Sequence, residues 1–214
     1  MLTKGFTGTV WFLVLCLCAT GIASEQATEQ ALYQLLSPIK GLSAQFSQHT
    51  MDTEGNIFQT SSGQLTATEA NKIRWIVKQP LAQQIISDGS KVWIYDPDLQ
   101  QVIIQPFTNN PQTNPINLLL GENRALSETF NMVYRRTEKP RVDSYILTPK
   151  ISGVLYQSLQ LDFVADTPKS IKYVDSLSQT TYIDLEKVIL NPQLPDNFFI
   201  FEIPQAVDIV DHVN

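Results

Sequence analysis

The sequence predicts a mainly β (α+β) domain, an antiparallel meander of short strands folded as a sandwich or barrel. Three observations carry this. Apolar residues alternate with polar ones in runs of 4–8 residues, the period of a half-buried strand. Turn signals recur about every 8–12 residues. One stretch near the start has a helical period instead.

That stretch follows Glu25. Ala27, Ala31, Leu32, Leu35, Leu36 and Ile39 draw one apolar stripe on a helix, and Pro38 stops it. The stripe is expected to pack on a sheet. After Gly41 the period drops to two: Leu42, Ala44 and Phe46 alternate with Ser43, Gln45 and Ser47. Asp52–Gly55 reads as a turn, and Ile57–Ala67 as a second strand paired with the first. Lys72–Lys78, Leu81–Ser87, Lys91–Asp96 and Leu99–Pro106 follow as strands. They are separated by Gln79-Pro80, by the hairpin signal Asp88-Gly89, and by Asp96-Pro97-Asp98.

Thr108–Pro115 breaks the pattern with prolines and asparagines, and Ile116–Leu120 then reads as a short greasy helix. A polar loop leading to such a helix builds either a lid or a plug at one barrel end. Strands resume at Asn131–Arg135, Asp143–Pro149, Tyr156–Phe163, Ser170–Asp175 and Thr180–Ile189. Phe198–Ile203 and Ala206–Val210 close the pattern, with no repeat and no domain boundary.

The 214 residues, 43% hydrophobic and 17% charged, suffice for one domain with a core and exclude a disordered chain. Lys4 followed by the apolar run Val10–Ala19 reads as an export signal, with cleavage expected after Ala23. The run is short for a membrane anchor, and no basic stop follows it. Leu15 and Leu17 precede Cys16 and Cys18, where a lipidation site needs a small residue. Residues 1–23 are therefore expected to leave, and 24–214 to form a single domain without cysteine. Losing Lys4, the only charge before Glu25, takes the formal charge from −6 to −7. No basic patch for nucleic acid or anionic lipid is visible.

Chemistry is sparse. His49 and His212 form no metal-ligand pair, and no Gly-x-Ser-x-Gly elbow is present. A hydrolase would have His49 as its best candidate base. Asp96 and Asp98 read as a solvated turn in preference to a cation site. No catalytic residue, metal or cofactor is assigned. What remains is apolar surface. Ile73, Trp75 and Val77 share a face, while Val92–Tyr95 is apolar on both faces, so one side must meet a cavity, a second sheet or another molecule.

The order and spacing of Phe46-Ser-Gln48, Ser61-Ser-Gly-Gln-Leu65, Arg74-Trp75, Gln79-Pro80, Ser87-Asp-Gly89 and Val92–Val102 resemble the LolA family of periplasmic outer-membrane lipoprotein carriers. Asn114-Pro115, Leu147-Thr-Pro149-Lys, Phe199-x-Phe201-x-x-Pro204 and Val207–Val210 extend the resemblance over nearly the whole mature chain.

The resemblance implies an incomplete antiparallel β-barrel that encloses an apolar cavity under a helical lid. It implies Ile73 and Trp75 facing the acyl chains and Leu118 and Leu119 in the lid; Phe46, Leu65, Ile85, Trp93, Tyr95 and Phe201 are expected around the same cavity and Ile116 in the same lid. The implied function is a periplasmic chaperone, a monomer without ATP or other cofactor. It takes triacylated lipoproteins from an inner-membrane ABC-type releasing complex to an outer-membrane receptor lipoprotein. The alternative is a lipid- or lipoprotein-sensing regulator of the same half-barrel fold, which would be expected to carry an extra domain after Val210. One departure stands out. The family's lid-latching Arg-Pro falls, by spacing back from Trp75, on Glu69-Ala70. A carboxylate has no donor for lid carbonyls.

Overall fold

A computed structural model describes residues 20–107, 115–120, 126–151 and 155–213. The expected leader core Val10–Ala19 and the loop Thr108–Asn114 lie outside these residues. Helix α1 (Thr20–Leu36) is followed by β1 (Gly41–Met51), β2 (Ile57–Thr68), β3 (Lys72–Gln79), β4 (Gln83–Asp88), β5 (Lys91–Asp96) and β6 (Gln101–Pro106). A 3-10 helix (Pro115–Leu119) and α2 (Leu126–Thr129) interrupt the meander. It continues as β7 (Phe130–Glu138), β8 (Arg141–Pro149), β9 (Tyr156–Val164), β10 (Thr167–Asp175), β11 (Thr180–Leu190) and β12 (Asp208–Asp211).

All twelve strands form one sheet in the order β12-β6-β5-β4-β3-β2-β1-β11-β10-β9-β8-β7. It is open: β12 and β7 are its two edges and do not pair with each other. This is the expected incomplete barrel, antiparallel except that β12 runs parallel to β6. A parallel neighbour cannot come from a hairpin. Here the chain crosses one face of the sheet through residues 192–207 before adding β12 at the edge.

The two faces differ. On the concave face, Leu42, Ala44 and Phe46 of β1 join Leu65 and Ala67 of β2, Leu159, Leu161 and Phe163 of β9, and Leu185 of β11 in one buried cluster. The helices lie over it. Leu32, Leu36 and Ile39 are buried, whereas Ala27, at the start of the expected stripe, is exposed. Carboxylates on α1 fix the helix to α2 and β7: Glu29 accepts from Ser127 N at 2.9 Å and Glu25 from Met132 N at 3.4 Å. The helix-to-strand corner is held by Asn191, which accepts from Lys40 N and Gly41 N and donates to Pro38 O.

Turn chemistry sets the meander. The Asp88 carboxylate accepts from Ser90 N, Ser90 Oγ and Lys91 N. Partial burial pushes its acidity constant up, but these bonds outweigh it and the net shift is downward. Asp96 accepts from Asp98 N and Leu99 N, the solvated turn read from the sequence.

Burial pushes the phenols of Tyr145 on β8 and Tyr156 on β9 up to about 12. Their ionised forms are disfavoured in the fold but not in the unfolded chain. Stability is therefore unaffected below about pH 10 and falls as pH rises from there towards 12. An ultraviolet titration should show these two tyrosines ionising last, together with loss of structure; ionisation near pH 10 in the intact fold would overturn the assignment.

Candidate functional site

The cavity forms where β3–β5 leave the main core. Register determines which residues of β3–β5 share the face that lines it. Ile73 pairs with Ser87 and Trp75 with Ile85, and Ser87 and Ile85 pair with Val92 and Ile94. These residues share one side of the pleat. Of them, Ile73, Trp75, Ile85, Ser87 and Val92 bound a space of about 280 Å³, lined also by Gln48, Phe107, Ile116, Tyr173 and Ile183. None of the lining residues carries a charge. Ser87 Oγ is satisfied by Gly89 N at 3.1 Å.

The 3-10 helix contributes one side of this space. Ile116, Leu118 and Leu119 are all buried in the concave cluster, and Ile116 forms part of the wall. Of the residues expected around the cavity, Ile73, Trp75 and Ile85 line it. Phe46 and Leu65 support it from the core: the Phe46 ring lies 4.1 Å from that of Trp75, and Leu65 pairs with Trp75 across the strands.

Trp93, Tyr95 and Phe201 require a correction. Val92 and Ile94 take the cavity side of β5, so Trp93 and Tyr95 point to the opposite face. There the Phe201 ring lies 6.3 Å from Trp93 and 5.9 Å from Tyr95. These aromatics hold the C-terminal segment, alongside buried Ile86, Val102, Ile104 and Phe199.

Sequence reasoning missed Gln48, Ser87, Val92, Phe107, Tyr173 and Ile183. Parity with Trp93 offered Val92 as the alternative, but Tyr173 and Ile183 come from β10 and β11 and no local signal points to them.

The expected latch position is occupied differently. Glu69 forms an ion pair with Lys40, and its N–H donates to Lys40 O at 3.0 Å. The Glu69 carboxylate thus ties the β2–β3 turn to the helix-to-strand corner. Ala70 has a φ of +61°, which a proline ring does not permit, so an Arg-Pro pair would require another turn geometry.

Among the described residues no group of three His, Cys, Asp or Glu is placed to hold a metal ion. His49 lies on the polar convex face, stacked on Tyr182 at 4.8 Å, and makes no hydrogen bond to a carboxylate among those residues. No helix among them is long and apolar enough to cross a membrane. What the arrangement offers is a lidded apolar chamber.

Comparison with known proteins agrees with this geometry. The profile of the family described as "Outer membrane lipoprotein carrier protein LolA" matches residues 37–202. A protein of Hahella chejuensis named outer-membrane lipoprotein carrier protein is 34% identical over 197 residues, 92% of this chain and 94% of its own length. One of the same name from Pseudomonas aeruginosa is 35% identical over 188 residues, 88% of this chain and 89% of its own. Among solved structures, an uncharacterized conserved protein from Thermus thermophilus has the same fold, with a TM-score of 0.53 at 12% identity, covering 87% of this chain and 98% of that one. With the profile spanning most of the chain and relatives above 30% identity over nearly all of it, the chain belongs to the LolA family of outer membrane lipoprotein carrier proteins.

Proposed function

We propose that this protein is a lipoprotein carrier that shields acyl chains in the cavity between Trp75, Ile85 and the lid. The observation that supports it is the uncharged chamber of about 280 Å³ roofed by buried Ile116. Each methylene moved out of water contributes about 0.8 kcal/mol, so acyl chains have a strong reason to enter. The chamber as it stands lies at the lower limit of ligand pockets, roughly 300 Å³. Three acyl chains need more room, so the lid must move away to admit them. Its residues Ile116, Leu118 and Leu119 then exchange contacts with the core for contacts with cargo.

The reading places the mature chain, freed of its leader after Ala23, in the periplasm as a single-domain monomer that performs no catalysis. Cargo comes from an inner-membrane ABC-type releasing complex and passes to an outer-membrane receptor lipoprotein.

Release of a triacylated lipoprotein from inner-membrane vesicles into detergent-free buffer tests it; failure to solubilise cargo would sink the carrier reading. Ile85→Asp sharpens the test. Ile85 is only half-buried, so the carboxylate stays hydrated in the empty chamber and the fold survives. Cargo must strip that hydration, and uptake should fall at least tenfold. Uptake equal to the parent would place the acyl chains elsewhere.

A further inference from the structure

The face of β3–β6 turned away from the cavity holds a second space. The C-terminal segment arches over it, anchored by buried Phe199, by Phe201 against Trp93 and Tyr95, and by β12 at the sheet edge. Turns from Phe198 N to Pro195 O and from Ile200 N to Asn197 O stiffen the arch. Beneath it lies a pocket of about 590 Å³, whose lining includes Arg74, Gln84, Tyr95, Asn197, Phe201 and Glu202.

Arg74 points here because its neighbours Ile73 and Trp75 take the other side of β3. It donates one N–H to Phe198 O at 2.9 Å and stacks on the Phe198 ring at 5.5 Å. A guanidinium has about five N–H donors, and this one makes no other hydrogen bond and no ion pair among the described residues. Glu202 lines the same pocket without pairing to it. The side chains of Gln84, Tyr95 and Asn197 also make no hydrogen bond among those residues. A half-buried cation without a counter-charge is costly unless something neutralises it.

We propose that this pocket binds a small zwitterion with an apolar body. Its anionic oxygens lie on Arg74, its ammonium group near Glu202, and its apolar part against Tyr95 and Phe201. A plain anion meets repulsion from Glu202, a plain cation from Arg74, and an uncharged ligand leaves both without partners. An amino acid and the headgroup of an ethanolamine lipid share the required chemistry. The sheet separates the site from the acyl cavity, so the proposal stands apart from the carrier reading.

Chemical-shift titration of the protein with three probes tests it: L-phenylalanine, dihexanoylphosphatidylethanolamine below its micelle concentration, and dihexanoylphosphatidylglycerol, which has the phosphate without the ammonium. At least one zwitterion should give saturable shifts at Arg74, Tyr95 and Phe201, with an affinity independent of any lipid-induced shifts at Ile73 and Trp75. The glycerol lipid should bind at least tenfold more weakly. The zwitterion that saturates identifies the source. Arg74→Gln should abolish binding. Because Arg74 also holds the arch, Glu202→Gln is the cleaner variant: it should weaken the zwitterion about tenfold and bring the two lipids level. No saturable shift with either zwitterion, equal binding of the two lipids by the parent, shifts confined to the acyl cavity, or unchanged affinity in Glu202→Gln would each overturn it.

Discussion

Leu118→Asp is expected to open the lid without unfolding the sheet. Leu118 is fully buried against the concave core. An unpaired carboxylate there costs several kcal/mol, and the protein will take the least costly route to hydrate it. The 3-10 helix carrying Leu118 is only five residues long. Displacing it costs less than unfolding twelve strands, because local opening lies below the global free energy. A hydrophobic dye should therefore bind the variant strongly, while sheet circular dichroism is retained. The same change at Leu159, fully buried in β9, has no such escape and should unfold the domain. Acid should reverse the effect at Leu118. Desolvation raises the carboxyl's acidity constant in the closed state above its ordinary value of about 4. Closure is then fully available below about pH 4 and is lost as pH rises through the raised value. If Leu118→Asp loses its sheet as completely as Leu159→Asp, the lid is an inseparable part of the core and the gating argument fails.

The lid was legible in the sequence because a polar, proline-punctuated segment followed by Ile116–Leu120 breaks a strand pattern visibly. The strands were legible because period-two alternation and turns such as Asp88-Gly89 are local signals. Which face of β5 meets the cavity was not. Alternation states that Val92 and Ile94 are together and that Trp93 and Tyr95 are together; it does not say which pair faces in. The choice is made by a chain of registers, from Trp75 to Ile85 to Ile94, and by a C-terminal segment that arrives about a hundred residues later with Phe201. The larger aromatics looked like the better lipid wall, but they serve to hold the arch. The far wall, Tyr173 and Ile183, depends on the curvature of the whole sheet, and no window of sequence contains it. The Glu69 departure was legible as a residue, but its partner Lys40 was not, since the pair bridges two separate corners of the fold.

Gly63→Val should cause a large loss of stability in the strands that support the cavity wall. β2 slips register between Ser62 and Gly63 as it pairs with β3. In that bulge the backbone of β3 comes so close that a Cβ on residue 63 would lie 1.8 Å from the Ile76 carbonyl oxygen. It would also lie 3.1 Å from Cε1 of Phe46. The first contact is with backbone, which no rotamer change can relieve, so the β2–β3 ladder must part. The second displaces Phe46, against whose ring Trp75 packs and through which the cavity wall is supported. A cost of about 3 kcal/mol or more is expected, which for a domain of this size lowers Tm by roughly 10 °C. Gly55→Ala supplies the comparison. Its φ is +88°, so an alanine is strained there, but nothing lies within 4 Å of the added carbon. That variant should lose only about 1 kcal/mol. Thermal unfolding of the two separates close approach from backbone preference: if Gly63→Val is no worse than Gly55→Ala, the bulge yields freely and Phe46 does not support the wall as argued. If the contact is as tight as it stands, residual folded Gly63→Val should also lose cargo uptake, because Trp75 no longer has Phe46 behind it.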